Sequence, residues 1–248
     1  MMTQGRRYKL IACEILFREI CHCAAQSHNI IDMVFMPKGL HDMGEAKMVA
    51  LLQEELDKVE KDKYDAILLG YALCNNGIRG LQSHTLMVVP RAHDCITLLM
   101  GSKEKYNEYF TKNPGTYFKS PGWIERGEGT TLNAQSIPSQ LGISGTYEDY
   151  VEQYGEENAK FFMETIGDWY KNYKKFTFID TRVGDVQRYK DTTRKEAEKN
   201  GWEYEEISGD IILLDNLLNG DWAPEKFLTV PAGLKIQSAF DNDQIISC

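Results

Sequence analysis

The chain has 248 residues, a formal net charge of -9 and a hydrophobic content of 42%. This length and hydrophobic content suffice for a packed core, in one large domain or two closely packed ones. The acidic balance argues against nucleic acid and anionic membrane surfaces as partners, because both are bound through surplus lysine and arginine. No apolar run approaches the roughly 18 residues of a spanning helix, and the polar start of the chain lacks the features of a secretory signal. We therefore expect a cytoplasmic protein.

The first half of the chain alternates between buried-strand patterns and helical patterns. Strands are predicted, in chain order, at residues 8–13, 30–36, 64–73 and 85–90. Helices are predicted after each of them, at residues 14–27, 45–61, 77–82 and 96–110. Such alternation is typical of right-handed βαβ units with a parallel sheet.

The second half begins with a stretch rich in Gly, Pro, Ser and Thr at residues 113–145, which is too long for an ordinary connection. We expect a functional loop, a lid or a short hairpin insertion there. One or two helices follow at 147–173. Strands at 175–179, 202–207 and 227–231 then alternate with helices at 186–200 and 211–218.

These elements predict an α/β protein with a Rossmann-like parallel sheet, helices on both faces, and two lobes with a cleft between them. The predicted parts are an N-terminal α/β lobe at 1–112, a loop and helical insertion acting as a lid at 113–174, and a C-terminal α/β lobe at 175–248. No tandem repeat or low-complexity tract is present.

Cysteine and histidine follow the predicted strands of the N-terminal lobe. Cys13 ends the first strand, His41 follows the second, Cys74 follows the third, and His93 and Cys95 follow the fourth. Ligands of open parallel sheets bind at the carboxyl ends of the strands, so these side chains are expected to face one crevice. Thiolate and imidazole together suit zinc, with iron or an iron–sulfur cluster as alternatives.

Neighbouring groups refine this hypothesis and leave an alternative open. Glu14 and Asp94 are candidates for orienting a ligating histidine from behind. Cysteines in strands are also common as small core residues without a ligand role. Cys23 is predicted to be a core residue of the first helix, Cys21 lies off that face, and Cys248 is expected in a mobile tail.

The segment after the third strand is a candidate for binding an anion. Backbone N–H groups of Asn75, Asn76 and Gly77 could cradle a negative group, aided by Arg79 and Arg91. An Asn-Gly turn in a left-handed conformation uses the same residues, so both interpretations stay open. Neither the phosphate-loop nor the dinucleotide-binding pattern occurs in the chain.

Four stretches of the sequence resemble those of the family called domain of unknown function 1638. They are the segment 10–15 around Cys13 and Glu14, the segment 70–77 ending in Cys-Asn-Asn-Gly, the segment 91–102 containing His93-Asp94-Cys95, and the segment 178–181. The resemblance spans most of the chain. It implies a protein of methanogens and anaerobic bacteria, often encoded beside corrinoid-dependent methyltransferases, with a role in one-carbon or methylated-compound metabolism.

Three functions are consistent with these residues. The first is an enzyme in which zinc activates a thiol, a water or a methyl acceptor. The second is a carrier or sensor that binds a metal, a cluster or a corrinoid-related cofactor beside a corrinoid methyltransferase system. The third is a small-molecule-binding protein with core cysteines. The sequence leaves open which of these applies, and it does not define the substrate, the metal or the oligomeric state.

Overall fold

The computed structural model of the protein describes residues 5–74, 76–126, 173–239 and 245–248, the position of Glu156, and only the backbone of His41 and Asp42. The strands of these ranges are β1 Arg7–Cys13, β2 Ile30–Met36, β3 Ala66–Gly70, β4 Met87–Pro90, β5 Thr116–Lys119, β6 Lys175–Asp180, β7 Glu203–Ser208, β8 Phe227–Val230, β9 Gln237–Ser238 and β10 Ile246–Ser247. The helices are α1 Phe17–Gln26, α2 Glu45–Asp57, α3 Cys95–Met100, α4 Lys103–Lys112, α5 Pro121–Glu125, α6 Gln187–Asn200 and α7 Ile212–Asn219. Single 3-10 segments follow β1 and β2, at Glu14–Leu16 and Lys38–Met43.

The first sheet has the strand order β2-β1-β3-β4-β8. The first four strands are parallel, and their order is that of flavodoxin-type doubly wound folds. Because crossovers between parallel strands are right-handed, the connections through α1 and α2 lie on opposite faces of this sheet. The predicted α/β class with a mostly parallel sheet is confirmed. The two-lobe arrangement stays a prediction.

The last strand of the first sheet differs from the prediction, because β8 pairs antiparallel with β4. The register places Val88 opposite Thr229 and Pro90 opposite Phe227. Pro90 has no N–H to donate, and the backbone contact continues past it, where the Arg91 N–H donates to the Lys226 carbonyl at 2.7 Å.

The second sheet is small and fully parallel, in the order β5-β6-β7. Helix α6 packs on β6 and β7. The sheets do not follow the predicted division of the chain, since β5 comes from the predicted insertion and β8 returns to the first sheet. The three parts remain predictions.

The predicted helix over 96–110 is wrong at its centre, where the structure has two helices, α3 and α4. Gly101 ends α3 with a left-handed φ of 75°. A Cβ there would lie 2.8 Å from the Asp210 side chain, so only glycine fits. Ser102 then begins α4 by accepting a hydrogen bond from the Lys105 N–H.

Two more predictions are corrected. The helix predicted over 77–82 is a series of turns. The predicted loop at 113–145 contains β5 and α5 within its described part, and residues 127–145 lie outside the described ranges. Within those ranges, no helix combines the length and the apolar character that a membrane crossing requires.

Candidate functional site

A cavity of about 730 Å³ lies at the carboxyl end of the first sheet, and we call it the strand-end cavity. Its volume is in the range of small-molecule sites, roughly 300–1,000 Å³. The cavity is lined at the ends of β1 and β3, where the chain leaves the sheet in opposite directions toward β2 and β4. Doubly wound sheets bind their ligands at this kind of switch point.

Three cysteines from three neighbouring strand ends line the strand-end cavity: Cys13, Cys74 and Cys95. Cys13 is the last residue of β1, and Cys95 is the first residue of α3. Cys74 lies beyond β3, where its N–H donates to the His93 carbonyl at 2.9 Å. That bond continues the pairing between the two chain segments past the end of the regular strands. No disulfide joins any of the six cysteines.

The thiols of this set raise one another's pKa, in addition to the effect of burial. Burial raises the pKa of Cys74 to about 12, and the nearby Cys13 adds to the increase. Burial likewise raises the pKa of Cys95 well above its usual value, with Asp94, Cys74 and Cys13 contributing. Both thiols are therefore protonated at neutral pH unless a cation takes the place of the proton.

Tyr71 follows β3 directly and is only 3% exposed. Its side chain lines the strand-end cavity. Among the residues that the structure describes, its hydroxyl has no hydrogen-bond partner. Burial raises the pKa of this hydroxyl well above its usual value, and Cys13 and Cys74 are the next contributors. Tyr71 is thus a neutral buried donor beside the thiols.

An aromatic part of the lining, which we call the aromatic wall, comes from α4, β5, α5 and the segment just before β6. Its members are Tyr106, Phe110, Tyr117, Phe118, Trp123 and Tyr173. Within this set the rings of Tyr106 and Phe110 are stacked at 5.7 Å, and those of Tyr117 and Tyr173 are edge-on at 5.5 Å.

Gly122 places Trp123 in this wall. Ser120 caps α5 by accepting a hydrogen bond from the Trp123 N–H at 3.2 Å. A Cβ on Gly122 would lie 1.8 Å from the Ile15 carbonyl oxygen, so the backbone of α5 lies directly on the segment after β1. A glycine-permitted backbone contact is therefore what closes this side of the cavity.

The two acidic candidates, Asp94 and Glu14, make hydrogen bonds that connect the elements around the cavity. Asp94 caps α3, with Oδ1 accepting from the Thr97 N–H at 3.0 Å, and its Oδ2 accepts from the Tyr106 hydroxyl at 3.0 Å. Glu14 accepts a hydrogen bond from the Lys38 N–H at 2.8 Å. Asp94 fixes the start of the helix that carries Cys95, and Glu14 joins the end of β1 to the segment after β2.

Neither histidine candidate is among the described residues that line the strand-end cavity. His93 contributes its carbonyl to the contact with Cys74, and its side chain is not part of the cavity lining. The backbone of His41 lies in the 3-10 segment Lys38–Met43, and its side chain is outside the described part. In the described part, no group of three or more His, Cys, Asp and Glu side chains is arranged to hold a metal ion. The metal site therefore stays a prediction.

The predicted anion cradle contains a closed turn. Cys74 and Asn76 have left-handed φ values of 47° and 66°, and the Gly77 N–H donates to the Cys74 carbonyl at 3.1 Å. Asn75 lies outside the described residues. The Arg79 guanidinium lies 3.9 Å from the Glu45 carboxylate. The Gly77 N–H is thus used within the turn, which favours the turn interpretation.

Arg91 lies apart from this turn and holds chain segments together. Its Nε donates to the Pro224 carbonyl at 2.8 Å, and its Nη1 donates to the Ile246 carbonyl. Both bonds connect the end of β4 with the last part of the chain. These contacts give Arg91 a structural role.

The other three cysteines do not line the strand-end cavity. Cys23 is 1% exposed, and burial raises the pKa of its thiol to about 12, so its predicted core position is confirmed. Cys21 lies on the same helix and is partly exposed. Cys248 does not belong to a loose tail as expected, because the strand β10 just before it pairs with β9.

A family model described as "Protein of unknown function (DUF1638)" matches residues 35–218 of the chain. The chain belongs to this family. The match includes Cys74, Cys95 and the aromatic wall, while Cys13 precedes it. No curated protein and no solved structure matches the chain.

Proposed function

We propose that this member of the domain of unknown function 1638 family binds a metal through Cys13, Cys74 and Cys95 and presents it to a small molecule in the strand-end cavity. Zinc is the metal that we favour, because thiolates are among its preferred ligands. One observation supports this proposal most: three cysteines from three neighbouring strand ends line one ligand-sized cavity.

A cation would change the chemistry of these thiols. Without it, the raised pKa values of Cys74 and Cys95 make the thiols neutral and poor nucleophiles. Metal binding replaces the thiol protons, and the resulting thiolates neutralise the charge of the cation. We therefore expect zinc affinity to increase with pH, with one proton released from each thiol that becomes a ligand.

The fourth ligand decides between an enzyme and a carrier. Three protein thiolates leave one position for a ligand from the cavity, as in catalytic zinc sites, where the metal stabilises an anionic ligand such as a thiolate. A fourth protein ligand, with His41 as the candidate, would close the site and favour a structural or carrier role. We propose that either role belongs to one-carbon or methylated-compound metabolism, the setting that the family resemblance implies. Direct corrinoid binding has less support, because the chain has no D-x-H-x-x-G string.

A cavity that binds a small molecule without metal is the second candidate. It is favoured by the neutral state of the buried thiols and by the absence, within the described residues, of side chains already arranged around a metal position. In that case the cysteines are polarisable wall residues that contact the ligand through sulfur.

Metal content of protein purified without oxygen distinguishes the two candidates. We expect one zinc per chain and no colour, whereas an iron–sulfur cluster or a corrinoid would absorb visible light. Cys13→Ser, Cys74→Ser and Cys95→Ser should each weaken zinc binding by at least about a hundredfold, because losing even an outer-shell partner costs about 10- to 100-fold. Cys21→Ser and Cys248→Ser are matched controls and should leave the affinity unchanged.

Replacing zinc by cobalt reports the ligands directly. A thiolate-to-cobalt charge-transfer band should be present in the wild-type protein and lose intensity in each site variant. The variant that combines Cys13→Ser, Cys74→Ser and Cys95→Ser is the reference for metal uptake. If the wild-type protein takes up no more zinc or cobalt than this triple variant, the metal proposal is wrong. A small-molecule cavity without metal would then be the remaining candidate.

A further inference from the structure

The charged side chains of the strand-end cavity are already engaged. Among the described residues that line it, the charged ones are Lys38 and Asp94. The Lys38 ammonium donates to the Trp123 carbonyl at 3.2 Å and lies 4.5 Å from the centre of the Trp123 ring. Asp94 accepts bonds on both oxygens, from Thr97 and Tyr106. The two charges have opposite signs, so the described lining carries no net charge and favours a ligand of neither sign.

One polar group of the described lining has no partner. Tyr71 belongs to the cavity lining, and its buried hydroxyl makes no hydrogen bond to the described residues. A buried unsatisfied donor costs about 1–3 kcal/mol, and such groups need an explanation in a native structure. A phenylalanine at this position would avoid that cost. The hydroxyl is therefore explained if it donates to an acceptor atom on a bound ligand.

The shape and rigidity of the aromatic wall add a second constraint. Tyr106 contacts Phe110 and Phe118, and its hydroxyl is fixed by Asp94. Tyr117 contacts Tyr173 in the same wall. Aromatic groups held in place in this way favour flat ligands that stack on or against the rings.

We propose that the ligand of the strand-end cavity is an uncharged, flat organic molecule that carries an acceptor atom for the Tyr71 hydroxyl. The acceptor end lies at the thiols, because Tyr71 follows β3 between the strand ends that carry Cys13 and Cys95. The flat body lies against the aromatic wall. This inference rests on the proposed function in taking the cavity as the ligand site, but it does not require the metal.

The dye Nile red tests this inference, because it is neutral and flat, has one carbonyl acceptor and changes its emission with hydrogen bonding. We expect one dye per chain, bound more tightly than anionic anilinonaphthalene sulfonate or cationic thioflavin T. Tyr71→Phe should weaken Nile red binding by about three- to tenfold, the value of one hydrogen bond. The emission of the bound dye should move to shorter wavelength, because its carbonyl loses a donor.

Two variants control this experiment. Tyr8→Phe removes a buried hydroxyl from β1 outside the cavity and should change neither affinity nor emission. Phe110→Ala truncates a half-exposed ring of the aromatic wall and should weaken dye binding without unfolding the protein. Tyr71→Phe should be at least as stable as the wild type, because it removes an unsatisfied group.

Each outcome separates this inference from the metal proposal when the dye is measured on zinc-loaded and metal-free protein. Equal affinity and emission for wild type and Tyr71→Phe would overturn the acceptor contact, whatever the zinc content. Tighter binding of either charged dye would overturn the uncharged class. A Tyr71-dependent dye signal in a protein that takes up no zinc would support this inference and contradict the metal proposal.

Discussion

Cys74 has a backbone conformation that few side chains adopt. Its φ of 47° is in the left-handed region, which costs a residue with a Cβ roughly 1–2 kcal/mol relative to glycine. Strained positions of this kind occur where the rest of the structure fixes them, often at functional sites. In Cys74 the strain accompanies a thiol that lines the strand-end cavity.

This geometry reverses the usual order of stability between two small residues. Cys74→Gly should be more stable than Cys74→Ala by about 1 kcal/mol, because only the alanine has a Cβ in the left-handed region. Both variants lack the thiol, so the comparison isolates the backbone. Urea unfolding measures the difference. An alanine variant as stable as the glycine variant would mean that the turn relaxes when the thiol is removed.

The sequence predicted the three cavity cysteines and missed Tyr71. Cys13, Cys74 and Cys95 follow recognisable strands, and parallel strands bring their carboxyl ends together. Tyr71 lies in the run that was predicted as the end of the third strand, where an aromatic residue is expected to fill the core. Its position directly before Ala72, Leu73 and Cys74, at a strand end, was the only signal available.

At the scale of elements, helix caps hold the cavity wall together. Asp94 begins α3 and also binds Tyr106 on α4, so one carboxylate connects Cys95 with the aromatic wall. Ser102 begins α4 with a similar bond to the Lys105 N–H at 3.2 Å, but its side chain does not line the strand-end cavity. The two caps are a matched pair.

Removing these caps should separate stability from ligand binding. Asp94→Ala and Ser102→Ala should each lower the free energy of unfolding by about 1 kcal/mol, since each removes a side-chain cap. Only Asp94→Ala should also weaken Nile red binding, because Tyr106 loses its partner. Urea unfolding and dye titration measure the two effects. If Ser102→Ala weakened dye binding equally, the effect would come from general loosening of α4.

The elements themselves were largely predictable. Strand and helix patterns located β1, β2, α2 and α6 to within a few residues, and β1 and α2 each bury a regular apolar face. The break between α3 and α4 was not predicted, because a single glycine is tolerated in helical patterns. The reason for the break is a tertiary contact, namely the approach of Asp210 to Gly101.

At the scale of the whole molecule, a buried carboxyl connects helix α1 with the end of the second sheet. Glu19 on α1 is 1% exposed and accepts a hydrogen bond from the Thr181 hydroxyl, which follows β6, at 2.7 Å. Its second oxygen has no partner among the described residues. Burial raises the pKa of Glu19 above its ordinary value of 4.5, while Thr181 and Arg18 oppose the increase and Glu125 adds to it.

The sign of this effect on stability follows from the raised pKa. The protonated Glu19 carboxyl adds to the free energy of unfolding. This contribution is complete below about pH 4.5 and is lost as the pH rises through the higher pKa of the folded state. Glu19→Gln keeps an acceptor for Thr181 and carries no charge. Its free energy of unfolding at pH 8 should exceed that of the wild type by about 1–3 kcal/mol, because the variant no longer buries a charged carboxylate.

Urea unfolding between pH 4.5 and 8 measures this difference, which should shrink as the pH falls. Glu203→Gln, at an exposed position on β7, is the matched control and should show no such trend. A Glu19→Gln variant that is less stable than the wild type at pH 8 would mean that the ionised carboxylate is satisfied in the folded protein.

By itself the sequence determined the α/β class, the parallel direction of the first four strands and the position of three cysteines at the carboxyl ends of those strands. Short-range patterns encode these features, because burial on both faces and strand–helix alternation leave periodic signals. Only the tertiary structure decided what faces those cysteines. The aromatic wall, the unpartnered Tyr71 hydroxyl and the Asp94 link come from segments far apart in the chain, and no local pattern records such contacts. The same holds for β5 and β8, whose partners are chosen by packing between distant parts of the molecule.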